Sequence, residues 1–301
     1  MKNTIKSSHF GPLLDRVDNY SVIDCRVCGF RHLDPIPERK ELQEFYDKKY
    51  FQSSKPDYLQ EDQQEVEHRN IFFDQRLDFF HHHAPGHNLL DIGCGDGLFL
   101  QRAQKKGWKV LGVEPSEYAS ALAKERGINV IYGTLEEFSE NNVDKFDVVH
   151  LKNVLEHVED PIKVINDCRE LLNANGILYL EVPNDYDISQ RIGVWMLNEH
   201  KSWLCIPDHI NYFTFSSLKK LVGRNKFLVL RSDTTFPMYL FLCLGFNFIQ
   251  NKQLGKRLHQ WRMNFEMICV HLKLNSIRHL AYRILAKIGL GRTVILYLQK
   301  Q

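Results

Sequence analysis

The stretch LLDIGCGDGLFL at 89–100 sets Gly93, Gly95 and Gly97 between an apolar run and the start of an amphipathic one. Glycines after a strand allow a tight turn and leave main-chain N–H groups open to a ligand. Asp91 lies at the end of that run, where an open parallel sheet binds its ligand. Glu114 follows Asp91 by twenty-three residues and closes the next apolar run, where a carboxylate can accept both hydroxyls of a ribose. The spacing is G-x-G-x-G, with Leu98 where a dinucleotide fingerprint has its third glycine, and no P-loop lysine follows. Acidic Asp91 and Asp96 argue against a phosphate ligand, so an adenosine carrying a cation fits better. Without a ligand, the same residues reduce to a tight turn and a solvated strand end.

Those residues need a sheet to hold them. Strand patterns fall at 88–92, 108–114, 128–133, 146–151, 176–182, 227–233 and 293–299. Helical patterns at 98–106, 118–126, 161–172 and 216–226 alternate with them. This rhythm predicts βαβ units and an α/β, doubly wound, mostly parallel seven-stranded sheet of Rossmann-like type. The strand at 293–299 is expected to return to the sheet edge beside 227–233, leaving 234–291 as a helical insertion. The chain then divides into an N-terminal helical arm (1–87), a core (88–233), the insertion (234–291) and the final strand (292–301). Within the arm, helical spacing runs over 37–51 and 65–83.

The chain has 301 residues, 44% apolar and 25% charged, which excludes a disordered or collagen-like polymer. Net charge is only +2, but residues 250–301 hold ten Lys/Arg against Glu266 alone. Seven cysteines, of which only Cys25 and Cys28 are closely paired, are not a disulfide framework. The first residues lack an apolar signal region, and the longest apolar run, 237–249, is too short to span a bilayer. A cytoplasmic protein is expected, with the inner membrane face as a further possibility.

From 88 to 184 the chain resembles the class I S-adenosylmethionine-dependent methyltransferases. The resemblance rests on LLDIGCGDG, GVEPS, YGTLEEF, FDVVHLKNVLEHVEDP and LLNANGILYLEVPN taken together. It implies S-adenosylmethionine (SAM) as cofactor and S-adenosylhomocysteine as product. Asp91, Gly93 and Gly95 would cradle the methionine part, Glu114 the ribose, and Thr134 and Leu135 would flank the adenine, while Asn153 would face the methionine end. The family often has Asp at the position of Thr134. The segments at 25–51 and 209–222 look like the flanks of methyltransferases acting on sugars and nucleotide sugars. In those relatives the arm often carries a four-cysteine zinc ribbon. Here only Cys25/Cys28 remain of it, and SSHFG stands at 7–11. His9 and His32 could complete a four-ligand set, but at irregular spacing, so no metal is expected.

Methyl transfer to a hydroxyl asks for a base within hydrogen-bond reach. His209, in HINYF, is the first candidate; His157, in LEHVEDP, is the second, with shaping the loop over the methionine end as its other role. Tyr46, Tyr50 and Phe51 are candidates for a lid over the sulfonium, since aromatic faces suit a cation; as core residues they would do neither. The basic residues of 250–292 interleave with Leu, Ile, Phe and Trp261. They read as the outer faces of a helical subdomain, or as a contact to an anionic membrane surface. No RNA-binding motif accompanies them, so nucleic acid is not expected. The expected acceptor is a carbohydrate, a nucleotide sugar or surface-glycan precursor, with O-methylation as default. The alternatives are a lipid-soluble small molecule such as a quinone precursor, and a non-catalytic SAM-binding scaffold.

Overall fold

The computed structural model describes residues 9–37, 63–141 and 143–301. Tyr46, Tyr50, Phe51 and the helical spacing over 38–51 lie outside the described residues.

Alternation along each central strand builds the core. In β4 (Asn88–Ile92), β7 (Phe146–Lys152), β8 (Leu172–Pro183) and β11 (Thr293–Lys300), successive side chains enter opposite layers. Leu89, Val148, Ile177 and Ile295 meet Phe73, Leu77 and Phe80 of α1 (Gln63–His83) and Phe99 and Leu100 of α2 (Leu98–Lys105). Leu90, Val149, Leu178 and Leu296 meet the other layer, formed by α5 (Pro161–Leu171) and α7 (Phe215–Arg224). A sheet covered on both faces has no solvated side, which is why these strands read as continuous apolar runs.

Helix starts follow local chemistry. Ser116 accepts from Ala119 N–H at the start of α3 (Glu117–Glu125), and Asp160 from Lys163 N–H at the start of α5, whose first residue is Pro161. Thr214 and Ser217 form a reciprocal capping pair on α7. With β5 (Lys109–Glu114), β6 (Val130–Tyr132) and β10 (Phe227–Asp233), the seven-stranded sheet has the order β10-β11-β8-β7-β4-β5-β6. Strands β4 to β8 are parallel, and β11 runs antiparallel to both β8 and β10.

Two expectations need correction. The last strand does not lie at the sheet edge: β11 inserts between β8 and β10, and β10 is the edge. Its residues from Val294 to Leu298 are buried, which an inner position allows and a half-open edge does not. The described N-terminal part of the arm is not helical. It is an antiparallel sheet of β1 (Leu13–Val17), β2 (Tyr20–Asp24) and β3 (Arg31–Asp34), joined at β3 by β9 (Asn211–Tyr212). A two-residue turn with Asp18 in the left-handed region closes the first hairpin. Val22 and Leu33 from this sheet pack with Tyr186, Trp203 and Tyr212.

The segment between β10 and β11 carries α8 (Leu240–Cys243), α9 (Lys252–His271) and α10 (Asn275–Lys287). Its ends are pinned together by Thr234 Oγ1, which donates to Thr293 O over 2.6 Å. Buried Glu266 of α9 ties it to the core, accepting from His68 of α1, Arg262 and Tyr282 at 2.7–2.9 Å. Between β8 and β9, α6 (Ile188–Leu197) starts in a capping box formed by Asp187 and Gln190. Between β6 and β7 stands α4 (Leu135–Asn141), a short helix with no apolar period to announce it.

Candidate active site

The carboxyl ends of β4, β5 and β7 open onto a cavity of about 800 Å3. Asp91, Gly93, Gly95, Glu114, Thr134, Leu135 and Asn153 all line it. The turn after β4 brings the first four together. Gly93 has φ 69°, and a Cβ there would stand 2.7 Å from Val154 Cγ2, so both backbone and space demand glycine. Glu114 is the fixed point between two loops. Its Oε2 accepts from Gly95 N–H at 2.8 Å and its Oε1 from Ser116 N–H at 2.9 Å. Each carboxylate oxygen can accept more than one hydrogen bond, so this bridge leaves capacity for a diol.

Thr134 and Asn153 are held by their own backbones. Thr134 Oγ1 accepts from Glu137 N–H, and Thr134 N–H donates to Glu137 Oε2 at 2.9 Å, an exchange that starts α4. Asn153 follows β7 with φ 54°, a conformation Asn tolerates, and its N–H donates to Glu181 O.

Beneath Asp91 runs a buried polar chain that the sequence reading did not find. Arg76 Nη1 lies 2.7 Å from His150 Nε2, and His150 Nδ1 lies 2.5 Å from Asp91 Oδ1. Arginine only donates, so His150 Nε2 is the acceptor and Nδ1–H donates to Asp91. Burial lowers the His150 pKa, consistent with this neutral tautomer. His150 stacks between Phe99 and Tyr179, at 4.4 and 4.8 Å between ring centroids. Arg76 also donates to Glu181 Oε2 at 2.9 Å, where Tyr179 OH donates at 2.5 Å. Burial opposes the charge on Glu181, but Lys152 and Arg76 outweigh it and hold its carboxyl down to about 2.

The two candidate histidines form a second cluster. His157 lines the cavity, whereas His209 is not among its lining residues but stands beside His157, ring centroids 5.0 Å apart. Burial works against a charge on His157. Asp208, whose Oδ1 is 3.1 Å from Nδ1, and Glu156 outweigh it and push the imidazole up to about 9. Burial and the neighbouring His157 hold His209 down to about 4. At neutral pH the first is a cation and the second a neutral ring.

Among the described residues, seven carboxylates and four Lys/Arg line the cavity. A polyphosphate would meet net repulsion there. A nucleoside bearing a sulfonium meets a diol acceptor in Glu114, an anion in Asp91 and apolar walls in Val113, Leu135 and Phe73. Arg69 also lines the cavity, its guanidinium over the Phe73 ring. SAM therefore fits the residues present.

The family model described as "Methyltransferase domain" matches residues 63–232, more than half of the chain. A ubiquinone biosynthesis O-methyltransferase from Histophilus somni is 37% identical over 122 residues, covering 36% of this chain and 51% of that protein. The protein of the same name from Actinobacillus pleuropneumoniae serotype 5b is 35% identical over 122 residues, covering 36% and 52%. That of Vibrio vulnificus is 35% identical over 162 residues, covering 50% and 68%. The chain spans about half the length of the first curated relatives it matches. The fold also matches magnesium protoporphyrin IX methyltransferase from Synechocystis with bound SAH, at TM-score 0.54 and 15% identity over 88% of this chain and 100% of that one. The plantazolicin methyltransferase in complex with SAH matches at TM-score 0.52 and 18% identity, over 86% and 94%. Sheet order, glycine turn and family match converge: the chain belongs to the methyltransferase-domain family, with the fold of the class I SAM-dependent methyltransferases.

Proposed function

We propose that this protein transfers the methyl group of SAM to a hydroxyl of a lipid-soluble small molecule of the quinone-precursor kind. For methyl transfer the carrying observation is the Glu114 bridge, which presents a fixed carboxylate beside the glycine turn of an acidic cavity. Relatives named for ubiquinone O-methylation favour the acceptor class over a sugar. Apolar side chains exposed on the insertion, such as Trp261, Ile277 and Ile284, also suit an acceptor that resides in membrane.

When bound, SAM supplies an electrophilic methyl group and leaves as S-adenosylhomocysteine. The protein must align the acceptor and keep water out. Asp91, Gly93, Gly95 and Asn153 would hold the methionine part, Glu114 the ribose, and Thr134 and Leu135 the adenine edge. His157, held as a cation by Asp208, would stabilise the negative charge that develops on an acceptor oxygen. His209, neutral at pH 7 and standing behind His157 rather than in the cavity lining, would take the hydroxyl proton by way of a bridging water.

A carbohydrate acceptor is the second reading. It rests on the resemblance of the segments at 25–51 and 209–222 to the flanks of sugar methyltransferases; β3 of the first pairs with β9 of the second. Methyl-labelled SAM offered with polyprenylated catechols and, separately, with nucleotide sugars tests both. Label in the catechol product supports the first reading, and label in the sugar alone replaces it with the second. If neither is labelled while calorimetry records SAM binding, both readings fall and the scaffold alternative stands.

A further inference from the structure

We propose that His9, Cys25, Cys28 and His32 bind one zinc ion, which fastens the N-terminal sheet to the acceptor side of the active site. Their donor atoms all lie within 4.8 Å of one another. His9 Nδ1 is 3.6 Å from Cys25 Sγ and 3.3 Å from Cys28 Sγ. Zinc bonds of about 2.3 Å to sulfur and about 2.0–2.1 Å to nitrogen, in a tetrahedron, separate S and N donors by about 3.6 Å. The observed distances are of that size without an ion to set them.

Each donor is prepared differently. Cys25 and Cys28 belong to a knuckle closed by Gly29, whose φ of 80° turns the chain back and whose N–H donates to Cys25 O at 2.9 Å. Cys28 N–H points to Cys25 Sγ at 3.4 Å, the kind of contact that stabilises a thiolate. His32 Nδ1 lies 2.8 Å from Leu33 O, which accepts only, so Nδ1 carries the hydrogen. Nε2 is then a lone pair, and it is buried with no hydrogen-bond partner among the described residues. A buried unpartnered imidazole nitrogen is costly, and a metal would satisfy it. The His9 ring stands 4.6 Å from the His32 ring, completing the set.

The position of the site gives the ion its task. His32 sits in β3 directly opposite Asn211 of β9. Asn211 Nδ2 donates to Leu155 O and Val158 O, and Asn211 N–H to Glu156 O at 3.0 Å. The ion would thus be one residue pair away from the loop that carries Glu156 and His157. A β3–β9 ladder of two pairs holds little by itself, so a metal bond at one of its members would fix the register of that loop.

Elemental analysis of the full chain purified without chelator, followed by titration of the stripped protein with zinc or cobalt(II), tests the proposal. One equivalent is expected, with the cobalt form showing tetrahedral ligand-field bands and thiolate charge transfer. Cys28→Ser and His9→Ala should each weaken zinc at least a hundredfold. His32→Cys guards against a variant that simply fails to fold: it should still bind, with stronger thiolate charge transfer from a third sulfur. Removing zinc should speed amide hydrogen exchange at Ile210 and Asn211 while SAM still binds. Failure of the stripped, SAM-binding protein to take up zinc or cobalt, with both thiols equally reactive with and without metal, would overturn the site. Uptake with unchanged exchange at Ile210 and Asn211 would overturn its coupling to the active site.

Discussion

His150 donates through Nδ1 to Asp91 Oδ1 over 2.5 Å while its other nitrogen accepts from Arg76. A neutral ring thus stands between a buried cation and the carboxylate at the tip of β4. Asp91 is placed by this chain as much as by its strand.

His150→Ala should therefore act twice. It removes one hydrogen bond from Arg76, which keeps Glu181, and one from Asp91; at about 1.5–3 kcal/mol for each bond to a charged group the loss is about 3–6 kcal/mol. It also frees the Asp91 carboxylate to rotate, and SAM affinity should fall about tenfold. Thermal unfolding and calorimetry measure the two effects. An unchanged melting temperature with unchanged SAM affinity would show that the chain positions nothing.

Glu114 bonds two backbone N–H groups on different loops. Glu114→Gln keeps the volume but puts an NH2 where one of those donors points. A charge-assisted hydrogen bond contributes about 1.5–3 kcal/mol, so SAM binding should weaken about 10- to 100-fold. Glu114→Asp retains charge but shortens reach, and should recover only part of the loss. If both variants bind SAM like the parent chain, the ribose assignment is wrong.

That Asp91, Gly93, Gly95 and Glu114 would meet at one cavity was legible because the determinants are local. A strand, a glycine turn and a carboxylate at the next strand end all lie between residues 88 and 114 of the sequence. The Arg76–His150–Glu181 chain is not local: its bonds join residues 74 and 105 positions apart. Its one visible signal is a polar residue inside a buried strand, His150 in FDVVHLK and Glu181 in GILYLEV, since a buried polar group requires a partner. Strand order was legible only in part. Alternation announces a parallel sheet, and the unbroken apolar run in TVILYLQ suits an inner strand, but no local signal names β8 and β10 as its neighbours. The N-terminal strands are four or five residues each, too short for their alternation to stand out.

The histidine pair sets a pH dependence. Asp208 and Glu156, against the cost of burial, raise His157 to about 9, and His209 is held at about 4. With His157 acting as a cation and His209 as the neutral base, turnover should be level between about pH 5 and 8 and fall as pH passes 9. If His157 were the base instead, turnover would rise toward pH 9. Asp208→Asn removes the stronger support of the cation and should move the alkaline limb down. The same shift bears on stability. A raised pKa contributes fully below the ordinary histidine value and is lost as pH climbs through about 9. Unfolding midpoints across that window should fall for the parent chain and fall less for His157→Gln.

The outer face of α10 bears Ile277, Leu280 and Ile284, followed by Ile288 just past its end, all more than half exposed, with exposed Arg283 and Lys287 among them. On α9, Trp261 and Ile268 are likewise exposed, as is Leu272 next after it. Among the described residues no helix is long and apolar enough to cross a membrane, so contact would be made along the surface. Anionic lipid attracts each basic residue near the surface by about 1 kcal/mol. The protein should therefore sediment with vesicles containing phosphatidylglycerol and be released by salt. Arg283→Glu combined with Lys287→Glu should reduce binding at least tenfold. Leu280→Ser combined with Ile284→Ser tests the apolar contribution and should weaken binding in a way that salt does not mimic. Both double variants should keep SAM affinity, since neither face lines the cavity. Equal recovery with neutral and anionic vesicles, or none with either, would assign these helices to packing alone.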